Sequence, residues 1–579
     1  MHGSELHSQR MRWGPEIDSL RIGVGWEPAE LDRPWLLVES SAGDSHPGSV
    51  HLASVAELVR DGAREAGLAA GCYYCTDMCD GIAQGTEAMS YSLASRELLA
   101  MAAEMHFRAG HFDGWVAVSG CDKAIPAHLL AAARLDRPVV FLPGGVMHTG
   151  PGDISVDRMA ELYARLRRGR ISEEQYRYHS RTAVPCAGAC NFLGTAVTMQ
   201  IMTEALGLAV PGSACCPTTE SAQTRIARHV GTIAAKLIEK GVTARDIITP
   251  EALENALVVH AAIGGSTNAM LHLPALAAES GIGFSWERVR EINDHVPWIL
   301  NLRPSGEHTA DQMWYAGGVP AVMREVREHL HQGAMTVTGM TVGEILDGDA
   351  DTGGAKAGKE RLASDGLKPG DIIRSISRPM DSRGSLAVLS GNLAPRGAVC
   401  KRSAVAPAMT RFRGRARVFD GQRAALDAVF AGEIVPGDAV VVRYEGPRAT
   451  GMPEMFYLTA ALATEKELNE GVALITDGRF SGATRGPCVG HVSPEAAAGG
   501  PLAAVRNGDI IEIDLEDGVI ALRGSGGKEF SSGEAAETIH RRLDGQSPRR
   551  ARACSGLLGL YKGLAVDAAD GAGMRLPEG

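Results

Sequence analysis

The stretch GWVAVSGCDK, residues 114–123, is a short apolar run that stops abruptly in a polar loop. A run of this length, rich in Val and Trp and bounded by Gly, reads as a buried strand. Upstream of it, Val55–Ala66 and Ser95–Arg108 carry the spacing of amphipathic helices. Downstream come a second apolar run, Pro138–Leu142, and a further helical pattern over Thr219–Lys240, with Arg225 and Arg228 on its polar side. Helices alternating with apolar strands predict an α/β fold with a mainly parallel sheet. The segment Asp347–Gly370 is rich in Gly, Asp and Lys and reads as a linker or surface loop. Beyond it, strand-like runs dominate: Leu386–Leu389, Ala439–Tyr444, Val472–Thr476 and Ile510–Ile513. The chain therefore divides, on this reading, into an N-terminal α/β domain (1–370) and a C-terminal β-rich domain (371–579). The Gly/Ala-rich stretch after Leu564 reads as a loose tail.

With 579 residues, 45% hydrophobic and 22% charged, the chain has the composition of a globular protein able to bury a large core without disulfides. A net charge of −11 argues against non-specific nucleic-acid binding, which needs a basic face. Residues 1–18 contain no apolar segment of signal-peptide type, and no stretch is long and apolar enough to span a bilayer. A cytoplasmic location with no membrane partner is the expectation. In that reducing setting the eleven cysteines read as buried thiols or metal ligands.

Three apolar runs end in loops that could carry chemistry, since ligands of α/β folds gather at the carboxyl ends of strands. Trp115–Ser119 leads into Gly120-Cys121-Asp122-Lys123. Val440–Tyr444 leads into Glu445-Gly446-Pro447, with Met452-Pro453-Glu454 close behind. Val472–Thr476 leads into Asp477-Gly478-Arg479-Phe480-Ser481-Gly482. Thiolates suit iron–sulfur clusters and carboxylates suit Mg²⁺. Taken alone, Cys121-Asp122-Lys123 reads first as a surface Asp–Lys pair beside a buried cysteine. Cys186 and Cys190 offer two more thiols, and Cys72, Cys75 and Cys79 include a C-x-x-C that also fits zinc or a redox dithiol. Gly353–Lys359 imitates a P-loop but is followed by Glu360 and not by Ser or Thr, and no strand precedes it, so it is rejected as a nucleotide site. Ser481 lacks the flanking glycines of a nucleophile elbow, because Arg479 and Ala483 stand there, which disfavours a hydrolase. By itself the loop suggests only a serine capping a turn.

Taken together, these loops resemble the dihydroxy-acid dehydratase / 6-phosphogluconate dehydratase family. The resemblance runs from about Arg33 to Arg523. It is carried by CDGIAQGTEAMSYSLASREL (79–98), CDKAIPAHLLAAARL (121–135), GACNFLGTAVTMQIMTEALGLAVPGSA (188–214), GGSTNAMLHLPALA (264–277), SGNLAPRGAVCK (390–401), YEGPRATGMPEM (444–455) and LITDGRFSGATRG (474–486). It implies an α/β N-terminal domain, a β-barrel-like C-terminal domain, and a site between them. It implies cluster ligands at Cys121 and Cys190, Mg²⁺ ligands at Asp80, Asp122 and Glu454, a carbamylated Lys123 as a further Mg²⁺ ligand, and Ser481 as the base. The implied activity is dehydration of a 2,3-dihydroxy carboxylate to a 2-keto acid, in a homodimer or homotetramer.

One departure concerns the cluster. Where many members of the family carry a third cysteine in an N-P-C-N segment, this chain has His46-Pro47-Gly48-Ser49. The cluster is thus left open between [2Fe–2S] and [4Fe–4S]. Cys79 is the candidate third ligand, ahead of Cys186 and Cys75. The substrate reads as non-phosphorylated, either of 2,3-dihydroxy-isovalerate type or a sugar acid such as gluconate. Two rival readings stand beside this one: a non-catalytic member that has lost its cluster, and a redox or zinc protein built on Cys72 and Cys75.

Overall fold

The computed structural model describes residues 14–348, 355–482, 484–544 and 554–575. Its first half is built on a four-stranded sheet of β1 (Trp35–Ser40), β2 (Ala69–Tyr74), β3 (Gly114–Ser119) and β4 (Val139–Pro143). The strand order is β2-β1-β3-β4, and every pairing is parallel. Strands β1, β3 and β4 are buried along their whole length. This explains why they read as continuous apolar runs and not as alternating ones: helices cover both faces of a parallel sheet. The covering helices include α1 (Leu52–Glu65), α2 (Ser92–Ala109), α3 (Ala124–Leu135), α4 (Thr195–Ala205), α5 (Ser221–Lys240), α6 (Pro250–Ile263) and α7 (Ala269–Ser280). Helices α1 and α5 meet at glycines. A Cβ on Gly62 would stand 2.1 Å from the Arg228 carbonyl oxygen, and one on Gly231 would stand 2.3 Å from the Ala63 nitrogen.

The second half is a barrel of eight strands: β5 (Leu386–Gly391), β6 (Ala394–Lys401), β7 (Arg411–Asp420), β8 (Asp438–Arg443), β9 (Ala473–Thr476), β10 (Cys488–Ser493), β11 (Ile510–Asp514) and β12 (Val519–Ser525). The order β11-β7-β8-β9-β10-β6-β5-β12 closes on itself through the β11–β12 pairing, and a short β13 (Lys528–Glu529) adds to β12 outside the circle. Residues alternate across the barrel wall, as the two-residue period of a strand requires. Val441, Ala473 and Ile475 belong to one core, whereas Val440, Val442 and Leu474 belong to another that is shared with Ala425, Leu458 and Leu462. Both faces of β8 and β9 are therefore apolar, which is why the sequence shows them as plain runs.

Two sequence expectations need correction. The 347–370 segment contains a helix, Ala355–Ser364, and a helical turn at Pro369–Ile372, so it is not one open linker. Gly353 of the P-loop-like stretch lies outside the described residues. The chain after Leu564 is not loose as far as residue 575. It follows α8 (Gly556–Leu564), folds back so that Ala565 pairs with Met574, and buries Ala565, Ala568 and Ala572. The carbonyls of Gly571 and Ala572 accept from the buried Arg96 guanidinium at 3.1 and 3.0 Å, and Ala572 also accepts from the Tyr561 hydroxyl at 2.7 Å. Small residues fit there because this loop packs directly on α7: a Cβ on Gly571 would meet the Ala275 nitrogen at 2.5 Å. Among the described residues no helix is long and apolar enough to cross a membrane.

Candidate active site

The loops at the carboxyl ends of the parallel strands converge on one cavity of about 310 Å³. Strand β1 delivers His46, Pro47 and Gly48, β2 delivers Cys79 and Asp80, β3 delivers Cys121 and Asp122, and β4 delivers Met147. Cys190 and the start of α4 form another wall, and the barrel closes the cavity with Glu454, Phe456, Ser481 and Gly482. The two barrel loops are stitched together by backbone: Met455 N–H donates to the Arg479 carbonyl at 3.1 Å. Asp477 fixes their origin, accepting from the backbone N–H groups of Tyr444, Glu445 and Ala496 at 3.1, 2.9 and 2.8 Å.

Asp80, Asp122 and Glu454 each place a carboxylate oxygen within 4.8 Å of the other two. Lys123, fully buried, donates to Asp80 at 2.8 Å and stands 4.0 Å from Asp122. Asp80 also accepts from Ser92 Oγ at 2.8 Å. Glu454 accepts from Gln84 and Asn268, both at 2.7 Å. Arg479, buried and not foreseen as a site residue, bonds Glu454 with one nitrogen and reaches Ser92 Oγ at 2.8 Å and Asp80 at 3.6 Å with the other. Its Nε is held by the Met452 carbonyl at 2.7 Å. Burial raises the Asp80 carboxyl, but Lys123, Arg479 and Ser92 outweigh it and hold the group below its ordinary range. Asp122 goes the other way: burial and the charges of Asp80 and Glu454 push it up to about 7. Three carboxylates crowded in this way, one of them resisting ionisation, are a hard-oxygen donor set that a divalent cation of the Mg²⁺ type would relieve.

Cys79, Cys121 and Cys190 all line the cavity, and Cys75 and Cys186 lie outside its lining. Burial pushes all three lining thiols above the ordinary thiol value, Cys79 to about 11. Such thiols stay protonated near neutral pH, and a bound metal's charge would favour their thiolates. The carboxylate triad is the one group of three or more donors within 4.8 Å among the described residues, so the three sulfurs are not drawn together that closely. A single tetrahedral zinc, with Zn–S near 2.3 Å, would hold its sulfurs about 4 Å apart. Gly48 faces this region, since a Cβ there would stand 3.5 Å from Cys121 Sγ. His46 beside it is buried, bonded to Asp77 at 2.8 Å and accepting the Gly48 N–H at 3.0 Å. Cys72 lies in β2 and Cys75 just beyond it, an odd separation that turns the two toward opposite faces of an extended chain.

The side chains that sequence reasoning passed over, Ser92, Gln84, Asn268 and Arg479, all fall inside the segments that carried the family resemblance. Their signal was position within those segments; residue type alone gave none.

Comparison with known proteins bears on the family. Residues 33–345 match the model of the dihydroxy-acid/6-phosphogluconate dehydratase N-terminal domain, and residues 371–572 match that of the C-terminal domain. The chain is 40% identical over 555 residues to a protein of Acetivibrio thermocellus named dihydroxy-acid dehydratase, covering 95% of each. It is 42% identical over 560 residues to the protein of that name from Caldicellulosiruptor bescii, covering 96% of this chain and 97% of the relative. For the one from Caldanaerobacter subterraneus subsp. tengcongensis the identity is 43% over 503 residues, covering 86% and 87%. With both halves matched and nearly the whole length aligned, the chain belongs to the dihydroxy-acid/6-phosphogluconate dehydratase family.

Proposed function

We propose that this chain dehydrates a 2,3-dihydroxy carboxylate with an alkyl tail, of the 2,3-dihydroxy-isovalerate type, to the 2-keto acid. The observation that carries the reading is that the carboxylate triad, three thiols and Ser481 all open onto one cavity. Asp80, Asp122 and Glu454 would hold Mg²⁺. Carbamylation of Lys123 would turn its ammonium into one more oxygen donor. Cys121 and Cys190, with Cys79 as third thiol, would hold the iron–sulfur cluster.

Bound there, the two groups would supply Lewis acidity to the substrate's oxygens. The chain's own residues do the rest. The acidic set and its partners Gln84, Asn268 and Arg479 are locked by hydrogen bonds, so the substrate's carboxylate end meets a site that does not reorganise. Ser481 Oγ, as its alkoxide, accepts the C2 proton and afterwards hands it to the departing hydroxide, which restores the alkoxide. The electrons of the C2–H bond form the C2=C3 double bond as the C3–O bond breaks, and the departing hydroxide gains a proton to become water. The enol then tautomerises to the 2-keto acid. Ile82, Met147, Val184, Phe192 and Phe456 line the cavity and offer an alkyl tail apolar contact.

The test is an anaerobic preparation assayed for iron, sulfide and keto-acid formation. We expect turnover of 2,3-dihydroxy-isovalerate with kcat/KM at least about tenfold above that for gluconate. A preference for gluconate would move the substrate to the sugar acids. An iron-free protein after reconstitution would leave the non-catalytic reading standing.

A further inference from the structure

Beside the proposed base lies a buried amine to which no role has yet been given. Lys401 closes strand β6 and its side chain is buried. Its Nζ donates to the carbonyl oxygen of Gly482, the residue after Ser481, at 3.4 Å. Gly482 also packs against Gly194, where a Cβ on Gly482 would stand only 2.4 Å from the Gly194 Cα. Gly194 is the N-cap of the eleven-residue α4. The Ser481–Gly482 turn is therefore held by an amine and by the positive end of a helix. Both favour an alkoxide at Ser481, because a serine hydroxyl is a very weak acid and its anion is stabilised by positive charge beside it.

We propose that Lys401 is a positioning residue for Ser481: anchored on Gly482, it holds the turn against the start of α4, and its charge stabilises the negative charge on Ser481 Oγ. Burial alone depresses the amine, to about 7. Near neutral pH its ammonium is thus favoured chiefly when an anion forms beside it, and the proton that leaves Oγ is matched by the one the amine gains.

The inference rests on the reading of Ser481 as the base, and the test separates the two. Full-length reconstituted protein is assayed with 2,3-dihydroxy-isovalerate and its C2-deuterated form. For Lys401→Met we expect kcat to fall at least about tenfold. KM should stay within about twofold, the C2 deuterium isotope effect should rise, and iron content should not change. Lys401→Arg should recover part of the rate. Should the Met variant fail to fold, Lys401→Gln, which keeps a donor for Gly482 but no charge, is read in the same way. Wild-type kcat and isotope effect in the uncharged variant would overturn the role of Lys401, as would an equal loss in Lys401→Arg with an unmoved isotope effect. Turnover by Ser481→Ala would instead remove the base assignment itself.

Discussion

Arg479 holds the acidic site together. It is fully buried and its guanidinium serves Glu454, Ser92, Asp80 and the Met452 carbonyl at once. Removing one partner of a buried charge network leaves the others uncompensated, at about 3 kcal/mol or more. Arg479→Gln should therefore lower the stability of metal-free protein by roughly that amount. Mg²⁺ should restore part of the loss, read as a shift in Tm with and without the ion. Lys401 gives a second prediction at this scale. Its folded pKa lies near 7 against an ordinary 10.5, so the unfolded chain binds the extra proton between those values. The Lys401 contribution to stability then rises with pH between about 7 and 10.5 and levels off at its lowest below 7. Lys401→Met should remove this slope in denaturant titrations at pH 6.5 and 9; parallel curves for the two proteins would contradict it. At residue scale the proposed ligands and base could be named only through the family resemblance of the segments that hold them, since alone Cys121-Asp122-Lys123 reads as a surface pair beside a buried cysteine and Ser481 as a turn cap. Arg479, Asn268 and Gln84 were not named, because a guanidinium or amide gains its meaning only from partners 25 to 370 residues away.

Elements were read most surely where one period dominated. The apolar runs that became β3, β8 and β9 were plain, because each has both faces buried, and the helical pattern of α5 emerged with its ends within two residues of expectation. The tail was misread because Gly and Ala signal looseness when exposed, and the same residues permit close packing when a neighbouring helix lies on them. The α1–α5 crossing shows the same physics. Gly62 and Gly231 let two backbones touch, so Gly62→Val should force the helices apart and cost about 1–3 kcal/mol or more. A chemical denaturation midpoint unchanged from wild type would show that the crossing can yield.

Across the whole molecule the returning tail acts as a strap. Tyr561, Ala565, Ala568 and Ala572 pack with Leu93 and Ala94 of α2, Leu271 of α7 and Met452 of the barrel loops. Arg396 of the barrel adds an ion pair to Asp570 at 2.9 Å. Helix α2 also carries Ser92, which touches Asp80 and Arg479, so tail and acidic site share an element. Deleting residues 565–579 should expose Arg96, lower Tm by several degrees, on the order of a 3 kcal/mol loss, and weaken Mg²⁺ binding measured by calorimetry. Unchanged Mg²⁺ affinity in a destabilised truncation would show that the strap serves stability alone.

The division of the cavity wall between the two sheets has a consequence for how the protein comes into being. A chain that emerges from the ribosome N-terminus first presents Asp80, Cys121, Asp122 and Cys190 while Glu454 and Ser481 are still untranslated. A nascent chain halted near residue 345 would own the thiols and two of the three carboxylates, yet would lack the third carboxylate and the proposed base. The cavity is thereby completed only when the last quarter of the polypeptide has been made and has closed over what the first third left open.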